Sequence, residues 1–363
     1  MPKSFNIPTP RDAAQSSLPK PVFHDSVHHI KILQGDCLDI LAKIPEDSID
    51  LIFADPPYFL SNDGITCHAG RMVSVNKGQW DRSPGPDKMH DFNRAWLAAC
   101  QRVLQPNGSI WVSGTSHVIH SVGFAMQQLG FKLLNDITWV KPNPPPNLSC
   151  RYFTHATETL IWAAKSKKSR HTFHYRLMKE TNGGKQMKSV WPFYPPSAGE
   201  KRFGKHPTQK PVALLERILL ASSNPRDLVL DPFMGSGSTL VAAFRASRFV
   251  IGIEAFPEWN SLALRRIVAE LIFVQISVDL CSVSVDRSSV AETHARTRTL
   301  VTKLVHQERK FYFVEANQRE VIYSVEAESL DDAWQKFRAT THSASEILFV
   351  IKTETEIYLA QGK

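Results

Sequence analysis

The 363-residue sequence predicts a doubly wound, mostly parallel α/β sheet with a small C-terminal α+β appendage. Three observations carry that expectation. Short, continuous apolar runs recur between residues 48 and 254, the mark of strands buried on both faces. Segments with apolar residues at helical spacing alternate with them. Beyond residue 272 the chain turns Ser/Thr-rich and then strand-like again.

The elements follow in order. Residues 1–28 are polar and proline-rich and read as a disordered or loosely packed arm; with no apolar h-region, they are not expected to be a signal peptide. The main domain is placed at 29–272. Its strands are "SIDLIFAD" (48–55), "GSIWVSG" (108–114), "LLNDITWVK" (133–141), "TLIWAAK" (159–165), "DLVLD" (227–231) and "FVIGIE" (249–254). Its helices are "FNRAWLAACQRVL" (92–104), "KPVALLERILLASS" (210–223), "STLVAAFRAS" (238–247) and a segment near 257–270. Trp139 and Trp162 lie inside apolar runs and read as core. Residues 273–300 read as a linker. A small β-β-α-β domain over 301–363 follows, with strands at 310–317, 320–328 and 346–360 and a helix at 329–342 that opens on a Ser-x-x-Asp cap.

Composition narrows the function classes. The five cysteines (Cys37, Cys67, Cys100, Cys150, Cys281) are scattered, without a Cys-x-x-Cys pair, which fits reduced thiols rather than a disulfide framework or a zinc site. "HDSVHH" (24–29) has no accompanying ligand group, so no metal is expected. No apolar stretch approaches the roughly 20 residues of a membrane helix, and a cytoplasmic protein is expected. The net charge is +8, and residues 165–205 alone hold eleven Lys/Arg against Glu180 and Glu200. So concentrated a basic stretch fits a polyanion partner, the alternative being a solvated loop.

Two strands end in Asp-Pro, and in open α/β sheets ligands sit at the carboxyl ends of strands. "LVLDPFMGSGST" leaves its strand at Asp231 and turns through Gly235 and Gly237, which permit close backbone approach. Glu254, roughly 20 residues on, suits ribose hydroxyls. The pair fits an adenosine-containing ligand. No Gly-Lys-Ser/Thr follows, so the loop is not a P-loop, and it lacks the full GxGxxG spacing.

"LIFADPPYFLSN" (51–62) ends its strand on Asp55, Pro56, Pro57 and Tyr58. The exocyclic amine of a nucleobase is a poor nucleophile because its lone pair is delocalised into the ring. A carboxylate oxygen of Asp55 and the Pro56 carbonyl, held rigid by the two prolines, can grip both N–H bonds and free that lone pair. Tyr58 offers a stacking face for an extruded base. The alternative is a proline-rich turn with a core tyrosine.

The order DPPY, basic segment, "HPTQKP" (206–211), "DPFMGSGST" resembles the β-class DNA amino-methyltransferases, from about Ile30 to Ile272. The resemblance implies a Rossmann-like methyltransferase fold, S-adenosylmethionine as cofactor and DNA as partner, which would associate the protein with the nucleoid. It implies that Asp55, Pro56 and Tyr58 hold the amine, with Pro57 in the catalytic motif for rigidity. Asp231, Phe233, Gly235, Ser236, Gly237 and Ser238 would hold the methionine part of the cofactor, with Ser238 where the family usually has Thr. Glu254 would hold the ribose and the "GDC" stretch, Asp36 and Cys37, the adenine. His206, Thr208, Gln209 and Lys210 would line the pocket. "VSVNKGQWD" (73–81), "NLSCRYFTHATET" (147–159) and "LMKETNGGKQMKSVW" (177–191) further resemble the adenine enzymes of DpnII-type restriction systems, whose site is GATC. Members of this class are often homodimers.

The family places its target-recognition region at 165–205. Lys167, Lys168, Arg170, Lys179 and Lys185 are candidates for phosphate contacts, and Arg176, Asn182, Gln186 and Lys188 for base edges. Residues 61–82 read as a loop that closes over the flipped base, or as an ordinary crossover. No cysteine follows a proline, so a thiolate adding to a cytosine ring has no obvious carrier, and direct in-line transfer to an amine fits. Cytosine N4 remains a rival acceptor, and a catalytically idle DNA-binding regulator is a rival of another class.

Overall fold

A computed structural model describes residues 17–59, 65–68, 71–74, 83–282, 310–315, 321–326, 347–353 and 356–359, in two compact units, 1–267 and 268–363. In chain order the first unit contains β1 (Phe23–Asp25), β2 (Ile30–Gln34), α1 (Cys37–Leu41), β3 (Ile49–Ala54), β4 (Ile65–His68), β5 (Arg71–Ser74), α2 (Pro86–Val103), β6 (Leu104–Gly114), α3 (Ile119–Gln128) and β7 (Lys132–Val140). It continues through β8 (Thr157–Ala164), α4 (Tyr175–Thr181), β9 (Val190–Pro192), α5 (Val212–Ser222), β10 (Leu228–Asp231), α6 (Ser238–Arg245) and β11 (Phe249–Glu254), and α7 (Pro257–Ser282) begins in it.

Nine strands form one sheet in the order β1-β2-β11-β10-β3-β6-β8-β7-β9. The neighbours from β2 to β6 are parallel; β8 is antiparallel to both β6 and β7, β9 is parallel to β7, and β1 is antiparallel to β2. From β10 the chain crosses through α6 to β11 on one side, and from β3 through α2 to β6 on the other. Right-handed crossovers in opposite directions put α6 and α2 on opposite faces. The gap between β10 and β3 is therefore the topological switch point, where a crevice opens at the carboxyl ends of the strands.

Alternation along the strands feeds the two faces. Ile52, Ala54, Ile110 and Val112 join one core with Leu41, Trp96, Leu97 and Met126 from α1, α2 and α3. On the other face Trp111 stacks on Trp162 with centroids 4.9 Å apart and donates to Ser222 Oγ of α5 at 2.9 Å. Trp139 and Trp162 are buried, as their apolar runs predict.

Several expectations change. Phe23–Asp25, assigned to the loose arm, form an edge strand that buries Phe23 and Asp25. Asp25 accepts from the backbone of Val27 and His28 and contacts His28 Nδ1 at 2.9 Å, so "HDSVHH" builds a tight turn. β4 and β5 pair as a hairpin within the stretch 61–82, the rest of which lies outside the described residues. The helix expected to end near 270 runs to Ser282, through the first residues of the expected linker.

In the second unit β12 (Lys310–Glu315), β13 (Val321–Glu326), β14 (Ile347–Thr353) and β15 (Glu356–Leu359) form an antiparallel sheet in the order β13-β12-β14-β15. The single strand expected over 346–360 is thus a pair of strands, β14 and β15. The helix expected at 329–342 lies outside the described residues.

Candidate active site

Four adjacent parallel strands end in or just before an acid at the same edge of the sheet: β2 before Asp36, β11 at Glu254, β10 at Asp231 and β3 before Asp55. Register aligns them, Gln34 opposite Glu254 and Gly252 opposite Asp231.

Asp55 sits in a largely buried polar network. Its Oδ1 accepts from Ser113 Oγ at 2.5 Å and from Tyr58 Oη at 2.6 Å, and its Oδ2 accepts from Lys210 Nζ at 2.6 Å. Tyr58 Oη also lies 3.1 Å from Glu158 Oε2. Glu158 Oε1 accepts from Lys141 Nζ at 2.5 Å, and its Oε2 is 3.6 Å from Lys210 Nζ. Burial opposes ionisation of Glu158, but Lys210 and Lys141, with hydrogen bonds from Lys141 and Tyr58, outweigh it and hold the carboxyl at about 2. Burial likewise opposes the Lys210 ammonium, yet Asp55 and Glu158 raise it above the ordinary lysine value. Burial, then the charges of Asp55 and Glu158, push the Tyr58 phenol well up, so it stays a neutral donor. Pro56 is buried and Pro57 partly so, and Phe59, just beyond Tyr58, takes a left-handed φ of 55° that turns the chain sharply.

Sequence reasoning missed Ser113, Lys141 and Glu158, and it assigned Lys210 to the cofactor pocket rather than to Asp55. Lys141 follows β7 and Glu158 opens β8; the antiparallel register places Glu158 opposite Trp139. The available signal was an acid opening one apolar run and a lysine closing the run before it. The stacking face expected of Tyr58 is largely covered, with the residue 5% exposed, because its hydroxyl is drawn inward to the two carboxylates. Lys210 Nζ lies 5.2 Å from the ring centroid.

The glycine loop follows β10. Asp231 accepts from Thr239 Oγ1 at 2.5 Å and from the Phe233 N–H at 3.0 Å, so both oxygens brace the loop. Burial, with the charges of Asp55 and Glu254 adding to it, pushes this carboxyl up to about 7 against those hydrogen bonds. Gly237 has a φ of 73°, and a Cβ there would stand 2.7 Å from Ala263 Cβ; at Gly235 it would stand 3.1 Å from the His206 ring. Arg266, a further residue that sequence reasoning missed, donates to the Ser236 carbonyl and to Ser236 and Ser238 Oγ at 2.7–3.0 Å. Ser238 Oγ donates to the Lys210 carbonyl at 2.8 Å, tying the loop to the Lys210 segment. Phe233 packs edge-on against Trp96, centroids 5.3 Å apart.

Glu254 accepts from the N–H groups of Gly235 and Phe256, each at 2.9 Å, and burial raises its pKa. Asp36 is exposed and caps α1 through the N–H groups of Leu38 and Asp39. Cys37, expected beside the cofactor, instead packs into the core, because the first turn of α1 points it inward. His206 meets Trp259 edge-on at 4.4 Å, and its Nδ1 accepts from the Thr208 N–H. Gln209 is buried and donates to the Glu200 carbonyl, while its Oε1 has no hydrogen-bond partner among the described residues.

The nine basic and amide residues singled out for DNA (Lys167, Lys168, Arg170, Arg176, Lys179, Asn182, Lys185, Gln186, Lys188) are all exposed. They do not share one edge. β8 runs antiparallel to β6, so its carboxyl end lies at the amino edge of the sheet, opposite Asp55. Lys167, Lys168 and Arg170 follow that end, held there by Arg170 N–H on Asn107 Oδ1 and Ser169 Oγ on the Pro106 carbonyl. β9 then runs parallel to β7 back toward the catalytic edge. Asn182 spends its amide on the carbonyls of Lys185 and Gln186.

Comparison with known proteins agrees with this geometry. A family model described as DNA methylase matches residues 49–264. The chain is 54% identical over 240 residues to the Type II methyltransferase M2.DpnII of Streptococcus pneumoniae, covering 66% of this chain and 90% of that one. It is 55% identical over 237 residues to M2.LlaDCHI of Lactococcus lactis subsp. cremoris, covering 65% and 88%. Among solved structures, the M1.HpyAVI complex with SAM superposes with a TM-score of 0.50 at 29% identity, covering 66% of this chain and 98% of that one. The cytosine-N4-specific PvuII DNA methyltransferase superposes with a TM-score of 0.53 at 23% identity, covering 68% and 88%, a likeness of fold.

Proposed function

The chain belongs to the DNA methylase family and is a DNA methyltransferase of restriction–modification type, and on that premise we propose that it methylates the N6 amine of adenine within GATC. One observation carries the reading: the Asp55–Tyr58 strand end and the glycine loop close adjacent parallel strands, β3 and β10, on either side of the switch point. S-adenosylmethionine is the cofactor, supplying a methyl group made electrophilic by a sulfonium. The residues present fit it. The backbone at Gly235 and Gly237 is bare where a Cβ would crowd its neighbours, Gln209 Oε1 is a buried acceptor without a partner, and Glu254 and Asp36 flank the loop.

In the mechanism, Asp55 and the Pro56 carbonyl accept the two N–H bonds of the amine and free its lone pair, while Pro57 keeps the turn stiff. Tyr58, its ring largely covered, donates its hydroxyl to Asp55 and so holds the carboxylate in place before the amine arrives. His206, Thr208 and Gln209 border the glycine loop, which Asp231, Ser236 and Ser238 brace from within. Phosphate contacts come from Lys185 and Lys188 before β9 and from exposed Arg202 and Lys205 beyond it, on the path to the catalytic edge. The 29–272 segment carries the chemistry, and the later residues form a separate module. The enzyme acts in the cytoplasm on the nucleoid and assembles as a homodimer.

Digesting methylated DNA to nucleosides tests the acceptor: N6-methyladenine is expected, and N4-methylcytosine overturns the reading. Base-modification sequencing of the same DNA tests the site, with methylation confined to GATC expected.

A further inference from the structure

Both oxygens of Asp55 are engaged before any substrate arrives, by Tyr58, Ser113 and Lys210. Tyr58, Ser113 and Lys210 take most of the roughly four acceptor sites of this carboxylate, so an amine that is to be gripped by Asp55 competes with them, and a buried donor left without an acceptor is penalised heavily. Glu158 lies where it can receive them. Its Oε2 is 3.1 Å from Tyr58 Oη and 3.6 Å from Lys210 Nζ, the two displaceable donors, while Lys141 anchors its other oxygen at 2.5 Å. The phenol carries one proton and can serve only one of the two carboxylates at a time. The ammonium carries three and can lean from one to the other.

The geometry points to Glu158 as a positioning residue that acts as the exchange acceptor of the site. As the target amine takes up Asp55, the Tyr58 hydroxyl turns from Asp55 Oδ1 to Glu158 Oε2, and the Lys210 ammonium shifts its weight the same way. No bond is made or broken in the exchange beyond hydrogen bonds. The charge count supports it. Asp55 and Glu158 face Lys141 and Lys210, with the Tyr58 phenol and Ser113 hydroxyl as the neutral members. Two anions and two cations, each at most 21% exposed at the side chain, balance before and after the exchange. The fold by itself needs no charges here: an apolar pair at 141 and 158 would pack without the desolvation of a buried ion pair. The proposal rests on the reading that Asp55 grips the amine.

The test is single-turnover methyl transfer by the full chain on duplex GATC DNA, with cofactor and DNA affinities measured alongside. Glu158→Gln keeps the volume and removes the charged acceptor. Transfer should slow by at least about tenfold with both affinities within about threefold of the parent. Its pH–rate profile should fall on the alkaline side earlier than the parent's, because Lys210 loses one of the two anions that raise its pKa. Lys141→Met combined with Glu158→Gln restores charge balance without restoring the acceptor, and this double variant should stay slow. Recovery of the rate in the double variant would mean that charge balance alone matters, and it overturns the proposal. So does a Glu158→Gln rate and pH profile equal to the parent's. If Glu158→Gln does not fold, the neutral double variant carries the same comparison, slow supporting the exchange and parental speed overturning it. Asp55→Asn is the control: parental transfer by that variant defeats the amine-gripping reading itself, whereas an inert Asp55→Asn beside an unimpaired Glu158→Gln defeats the exchange alone.

Discussion

β3 and β10 lie side by side, and each ends in Asp-Pro, yet the two aspartates live in opposite surroundings. Asp55 is ion-paired with Lys210 and keeps a side chain 11% exposed at the crevice. Asp231 is 2% exposed and has only a hydroxyl and a backbone N–H as partners, with no basic side chain on it among the described residues. For Asp231, burial outweighs the two hydrogen bonds and its pKa climbs to about 7. The dipeptide thus sets only a strand end with a stiff turn. Neighbours from other strands decide whether its acid is a reactive acceptor or a brace.

The most damaging way to break this contrast is at Asp55. Asp55→Asn should lower single-turnover methyl transfer by about 100-fold or more while leaving DNA affinity intact, measured by transfer of labelled methyl and by gel shift. Asp231→Ala should act through the loop instead. Losing the acceptor of Thr239 and of the Phe233 N–H should destabilise the fold by about 1–3 kcal/mol and weaken cofactor binding, read by thermal unfolding and calorimetry. A transfer rate at saturating cofactor as low as that of Asp55→Asn would erase the distinction. Gly237→Ala, at a φ of 73° with a crowded Cβ, should give a destabilisation of about 1–3 kcal/mol and a similar binding defect.

A subtler test uses pH. Asp231 binds its proton more tightly folded than unfolded, so its contribution is fully present below the usual 3.8 and is lost as pH rises toward about 7. Asp231→Asn has no such proton to lose, and its melting temperature should gain on the parent's between pH 4 and 7. Glu158 has the opposite sign: held at about 2, it adds stability above its usual 4.5 that disappears as pH falls toward 2. The smallest effect is expected at the far edge. Replacing Lys167 and Lys168 with Ala should leave the salt dependence of DNA binding unchanged, whereas replacing Arg202 and Lys205 should reduce its slope by about one per charge.

Much of this molecule is legible along the chain. The strands at 48–55, 108–114, 133–141, 159–165, 227–231 and 249–254, the helices at 92–104, 210–223 and 238–247, the two Asp-Pro ends, the glycine loop and the acid at Glu254 follow from local patterns, since apolar periodicity and proline or glycine geometry are properties of neighbouring residues. α3, α4, β4, β5 and β9 were not read from the sequence. The tertiary structure decided the rest. Cys37 turned into the core because one helical turn points it there. Lys210 pairs with Asp55, and Lys167, Lys168 and Arg170 lie at the edge opposite Asp55 because β8 runs antiparallel, a direction that its apolar run does not encode. Glu158 joins Tyr58 across 100 residues of chain. Strand order and direction bring such charges together, and an electrostatic network belongs to that arrangement rather than to any stretch of sequence.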